Sequence, residues 1–195
     1  YGSSVGTIAG SGGIYNGTFN SNPVLTTTAA TGTIAMKRPD GKFVVISGNA
    51  AANAQLYNPE LRTFTALGTA PAAGTGVGAL AFKRPDGKFH IVLGNVTTAT
   101  SIFDPVANTF TVGPVLTAAA GDGAQVIPLP NGRVLIIHGN FTNTTSIYDP
   151  IQNIMIGGPV PSTVVGHGSI VIPRPDGTFL FIPGTITPTC VALNA

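Results

Sequence analysis

The apolar positions of this chain fall into short, nearly unbroken runs: "FVVIS" at 43–47, "FHIVL" at 89–93, "VLIIH" at 134–138 and "FLFIP" at 179–183. Runs that do not alternate with polar residues predict strands covered on both faces. Each run follows a turn signal, "RPDG" at 38–41, 84–87 and 174–177 and "LPNG" at 129–132. Asp-Gly or Asn-Gly between apolar runs predicts a tight hairpin, because these residues tolerate the positive φ it needs. The expected turns are therefore Asp40-Gly41, Asp86-Gly87, Asn131-Gly132 and Asp176-Gly177. No window of about ten residues has helical periodicity without a Gly or Pro, which excludes a helical solenoid.

The prolines of the turn phrase, Pro39, Pro85, Pro130 and Pro175, are spaced by 46, 45 and 45 residues. On the same period a Gly-polar pair closes each apolar run, at Gly48-Asn49, Gly94-Asn95, Gly139-Asn140 and Gly184-Thr185. An aromatic-Asn/Asp-Pro triplet follows at Tyr57, Phe103 and Tyr148, and a bulky apolar residue comes seven positions later at Phe64, Phe110 and Met155. These six form the expected repeat core. Within a unit the segments 33–36, 43–46, 55–57 and 63–65 are rich in β-branched and aromatic residues and predict four strands, A to D. A sheet covered on both faces needs neighbours on both sides, and four-stranded sheets at this period describe propeller blades. The expectation is all-β, one repeat domain over 1–195 with about four four-stranded blades. The units are 32–76, 77–121, 122–166 and 167–195.

The last unit ends at strand C. "NPVLTTTAATGTIAMKRP" at 22–39 aligns without a gap on "GPVLTAAAGDGAQVIPLP" at 113–130, which sets Thr18 and Phe19 on Thr109 and Phe110 of a D strand. Residues 17–21 are thus expected to complete the last blade and close the ring, removing an open edge. Residues 1–12 remain as an N-terminal arm or a competing C strand. An open array, or an excerpt from a longer chain, is the alternative to a closed ring.

The string "PNGRVLIIHGN…SIYDP…N" resembles the kelch repeat, in particular its bacterial kelch-like form, over nearly the whole chain. The resemblance implies a β-propeller. It departs at the second glycine after strand B, where Asn or Thr stands. Of the Gly-His pairs common before strand A, only Gly166-His167 is present. The match speaks for fold more than for inherited function.

Only 8% of residues are charged, against about a quarter in ordinary proteins. Solubility therefore rests on hydroxyls, amides, exposed backbone or attached sugar, which suits a secreted or cell-surface setting. A start at Tyr1 rather than Met fits a processed product or an excerpt. The net charge of +2 comes from interspersed charges, so there is no basic stripe for nucleic acid or anionic membrane. No apolar run reaches the length of a membrane span. Most charges fall at the A–B and C–D turns, on one face of the expected propeller. The other face carries Asp122 and loops of Gly, Asn, Thr and Ala. Acceptor sequons stand at Asn16, Asn95, Asn140 and Asn143, three of them in B–C loops, and glycan at these sites is expected to help solubility.

Candidate chemistry is thin. His90, His138 and His167 share no short ligand spacing, and Cys190 reads as a small apolar residue or a free thiol. No Ser-His-Asp order, phosphate-cradling loop or convincing carboxylate pair is present, so no catalytic residue, metal ligand or cofactor is expected. The favoured reading is a non-enzymatic extracellular structural or self-assembly module, a surface or filament subunit. Alternatives are a ligand- or carbohydrate-binding propeller and, from the resemblance, a fragment of a larger kelch-containing oxidase of the copper-radical kind.

Overall fold

A computed structural model describes residues 11–15, 19–184 and 191–193, with side chains over 24–184. It is all-β. An N-terminal hairpin, β1 (Ser11–Tyr15) and β2 (Phe19–Val24), precedes a first sheet of β3 (Ile34–Lys37), β4 (Phe43–Ile46), β5 (Ala54–Asn58) and β6 (Thr63–Ala66). The second sheet comprises β7 (Leu80–Lys83), β8 (Phe89–Val92), β9 (Thr100–Asp104) and β10 (Thr109–Val112). The third comprises β11 (Gln125–Pro128), β12 (Val134–Ile137), β13 (Thr145–Asp149) and β14 (Ile154–Gly157). A fourth sheet contains β15 (Ile170–Pro173), β16 (Phe179–Ile182) and β17 (Val191–Leu193). Every sheet is an antiparallel meander in chain order, and the inner strands β3, β7, β11 and β15 stand side by side in that order. This is a propeller-like array of blades.

The core lies between blades, which accounts for the continuous apolar runs. Ile34, Met36, Val44 and Ile46 of the first blade pack on Phe89, Ile91 and Phe103 of the second. From the opposite face of the second blade, Val92, Leu80 and Phe82 meet Ile136 and Tyr148 of the third. Ile127, Leu135 and Ile137 then meet Phe181 and Phe179 of the fourth. Strand β8 supplies both of the first two layers and is buried along its whole length.

In the A–B turns only the glycine has positive φ, at 82° (Gly41), 83° (Gly87), 78° (Gly132) and 81° (Gly177). Proline at the second turn position fixes an ordinary negative φ, so a type I turn followed by one left-handed residue is enough. The Asp or Asn contributes an acceptor instead. Asp40, Asp86, Asn131 and Asp176 each accept the backbone N–H two residues on, at 3.0–3.2 Å. The aromatic-Asx-Pro triplets open the C–D turns, where Asn58, Asp104 and Asp149 each accept two backbone N–H groups. Such Asx turns are the mechanism behind that motif.

At the chain ends the structure differs from the expected ring. β2 pairs with β1, and the fourth sheet has three strands among the described residues. Thr18 lies outside those residues, while Phe19 is bonded to Tyr15. A hairpin between neighbouring segments closes a far shorter loop than a return from the last blade, and so costs less chain entropy. No core layer joins the fourth sheet to the first among the described residues, and closure is not shown.

Candidate functional site

The repeat brings the charged turns to one face and fastens consecutive blades there. Arg38, before the first A–B turn, donates from Nη1 to Asn108 Oδ1 in the C–D turn of the second blade, at 2.9 Å. One repeat on, Arg84 Nη1 donates to Asn153 Oδ1 of the third blade at 3.1 Å. Asn108 and Asn153 are left-handed, with φ of 58° and 54°, a conformation Asn tolerates better than most side chains. Each guanidinium is also paired with the carboxylate of its own turn, Arg38 with Asp40 and Arg84 with Asp86. Within blades, Lys88 pairs with Asp104 and Arg133 with Asp149, both at 3.0 Å. Backbone N–H donors, Ala107 to Asp104 and Gln152 to Asp149, hold both carboxyls below their ordinary range, and the adjacent cations add to this.

Between the second and third blades this face opens into a cleft of about 310 Å³. Its walls are apolar, from Phe82, Pro85, Leu129 and Val134, and Arg84, Arg133 and Lys83 reach into it. Tyr148 forms its floor; the Arg84 guanidinium lies 5.7 Å from the ring centroid, and the Tyr148 hydroxyl donates to Asn153 at 2.8 Å. Burial raises the Tyr148 pKa, against the opposing charge of Arg84. The Arg84 Nε is buried without a partner. Against Phe82 and Tyr148 stands His90, with ring centroids 5.1 and 4.3 Å away and both nitrogens unpartnered. Burial, reinforced by Arg84, pushes its pKa down to about 3, so the ring is neutral.

The opposite face is built from the B–C loops. Three consecutive residues are left-handed in each: Gly48-Asn49-Ala50, Gly94-Asn95-Val96 and Gly139-Asn140-Phe141. The third residue of each run donates its N–H to the loop entering the next blade, at Thr75, Ala120 and Val165. The Gly-Asn pairs stand out in the sequence as a recurring signal, whereas the strain at Val96 and Phe141 does not. Asn95 and Asn143 are exposed on this face, Asn140 is half-buried against Gly121, and Asn16 lies outside the described residues. His138 is buried, bonded to Thr144 and Ser146, and burial lowers its pKa to about 4. His167 is exposed, with its Nδ1 against Asp122 and its ring edge-on to Phe141.

Four of the six repeat-core residues sit in the blade-to-blade layers. Phe103 and Tyr148 are fully buried, with Phe110 and Met155 beside them. Tyr57 and Phe64 pair with each other on the first blade and are half-buried. Cys190 lies outside the described residues. Among the described residues no group of three or more His, Cys, Asp or Glu side chains is placed to hold a metal, and no helix is long and apolar enough to cross a membrane.

No protein-family model and no curated protein sequence matches the chain. Among solved structures it is similar to a fungal alcohol oxidase of the AA5 family in complex with copper. The two are 13% identical, with a TM-score of 0.48 over 84% of this chain. The chain spans 50% of the length of that structure.

Proposed function

We propose that the chain is a non-enzymatic structural module of the secreted or cell-surface kind, built from kelch-like repeats, that works by packing its end blades face to face on further blades. The outward face of the fourth blade carries the reading. Ile172 is 41% exposed where its repeat equivalent Ile127, covered by the next blade, is 1% exposed. Ile170, two residues away on the same face, is 39% exposed. Burying one such side chain contributes about 1.5–3 kcal/mol, so this face gains from being covered. The complementary face of the first blade, with Phe43, Val45 and Tyr57, is only half-buried, whereas Phe89, Ile91 and Phe103 at the equivalent places are buried.

Sedimentation equilibrium tests the reading. The chain is expected to associate in a concentration-dependent way that persists at molar salt, since apolar contacts are not screened, and Ile172→Lys is expected to weaken the association without lowering the melting temperature. A chain that stays monomeric at every concentration and salt level refutes it. A ligand-binding module is the second reading, favoured by the cleft with its unpartnered Arg84 Nε. Saturable, Arg84-dependent binding of a small carboxylate such as benzoate by a monomeric chain would put that reading first.

A further inference from the structure

The Arg-to-Asn fastener repeats at two junctions, and its parts persist at the ends of the array. Arg174 is the repeat equivalent of Arg38 and Arg84. Among the described residues it bonds only inside its own turn, to Thr178 at 3.3 Å and, more loosely, to Asp176 at 3.9 Å. The place taken by Asn108 and Asn153 is Arg62 in the first blade, with the same left-handed backbone at φ 54° and an exposed side chain. If the fourth blade of one molecule were stacked on the first blade of another in the geometry of the internal junctions, Arg174 would meet Arg62. A guanidinium would then face a guanidinium where both internal junctions place an acceptor.

We propose that Arg62 weakens the stacking of the fourth blade of a second copy on the first blade, so that self-association through these faces is real but weak. The natural partner of the fourth blade is then a different blade, one that presents an aromatic ladder like Phe89-Phe103-Phe110 and an amide or carboxylate acceptor at the left-handed C–D position. This rests on the assembly reading and supplies its specificity: apolar faces give attraction, and the misplaced like charge disfavours the wrong partner.

The probe is this chain with its own fourth-blade face spoiled by Ile172→Lys, with and without Arg62→Asn. Each labelled probe is titrated with wild-type chain, after matching melting curves show that all are folded. At about 50 mM salt the Arg62→Asn probe is expected to bind at least about tenfold tighter than the Arg62 probe, the scale of one hydrogen bond to a charged group. Arg174→Ala in the wild-type partner should remove that gain, and about 1 M salt should narrow it by screening the Arg62–Arg174 repulsion. Equal, measurable affinities of the two probes, or a gain that survives Arg174→Ala, overturn the inference alone. Absence of binding by both folded probes overturns the assembly reading and this inference with it.

Discussion

Replacing His90 by leucine should stabilise the protein. Its repeat equivalents are Val44, Leu135 and Leu180, so the site is shaped for an aliphatic side chain, yet it holds a fully buried imidazole with neither nitrogen bonded. Each unsatisfied buried polar group costs about 1–3 kcal/mol. The ring recovers part of this by stacking on Phe82 and Tyr148, at about 0.5–1.5 kcal/mol for each pair. The balance favours His90→Leu by about 1–2 kcal/mol near pH 7.5. The pH dependence is sharper. With a folded pKa near 3 against 6.5 unfolded, the unfolded chain alone takes up this proton as pH falls below 6.5. The folded state therefore loses stability from pH 6.5 down towards 3 and has its full value above 6.5. The slope is about 1.4 kcal/mol per pH unit, so about 2 kcal/mol is lost by pH 5. His138 acts in the same direction in both proteins and cancels from the difference. Urea unfolding at pH 7.5 and pH 5 should show the advantage of His90→Leu growing by about 2 kcal/mol. A variant less stable at pH 7.5, with the same difference at pH 5, would refute the reasoning.

Two further substitutions separate backbone strain from crowding. Gly87→Val meets open space but places a β-branched residue at φ 83°, so thermal unfolding should show a loss of about 1–2 kcal/mol. Gly94→Ala adds overlap with the Val77 carbonyl to a positive φ and should lose more, about 2–5 kcal/mol; equal losses would contradict the packing described. The fastener itself is open to a double-mutant cycle with Arg38→Met and Asn108→Gly, the glycine keeping the left-handed backbone. A coupling of about 1 kcal/mol or more is expected, and additive effects would remove the fastener as a specificity element.

Period and turn chemistry make the blades legible in the sequence. "RPDG" marks a turn by local rules, and an aromatic seven residues from its partner marks two adjacent strands, so the Tyr57–Phe64 and Phe103–Phe110 pairs are readable without coordinates. What crosses between blades is not. Arg38 and Asn108 are separated by 70 residues, and nothing in "KRPDG" or "ANTF" points from one to the other. The interest of Arg62 is equally silent in sequence, because a lone charge in a turn has an ordinary explanation. It acquires meaning only once its equivalence to Asn108 and Asn153 shows which partner it would face. The left-handed Val96 and Phe141 are hidden because neither side chain favours that backbone. They are held there by N–H bonds to the next blade, and tertiary contacts of that kind override local preference.

The three junctions are not equivalent, and their differences bear on which blade can act as the docking element. In an array where units contact only their neighbours, stability is the sum of unit and interface contributions. The first and second junctions join apolar layers with an arginine fastener. At the third, Leu129 stands where the others have arginine and turns into the apolar layer. Its polar links lie elsewhere: the Gln125 amide donates to the Ser169 carbonyl at 2.9 Å, the buried Ser169 hydroxyl donates to the Gly123 carbonyl at 2.6 Å, and Asp122 meets the exposed His167 on the opposite face, where solvent weakens that pair. The fourth blade is therefore held to the array by the layer around Phe181 and the Ser169 bonds, without an arginine fastener. Among the described residues it is also the blade with an exposed apolar face and an arginine committed only to its own turn. Covering that face would add an apolar layer and, with an acceptor opposite Arg174, a fastener that the third junction does not have. The fourth blade thus gains stability from a partner that presents an acceptor, and less from a copy whose Arg62 stands in the way.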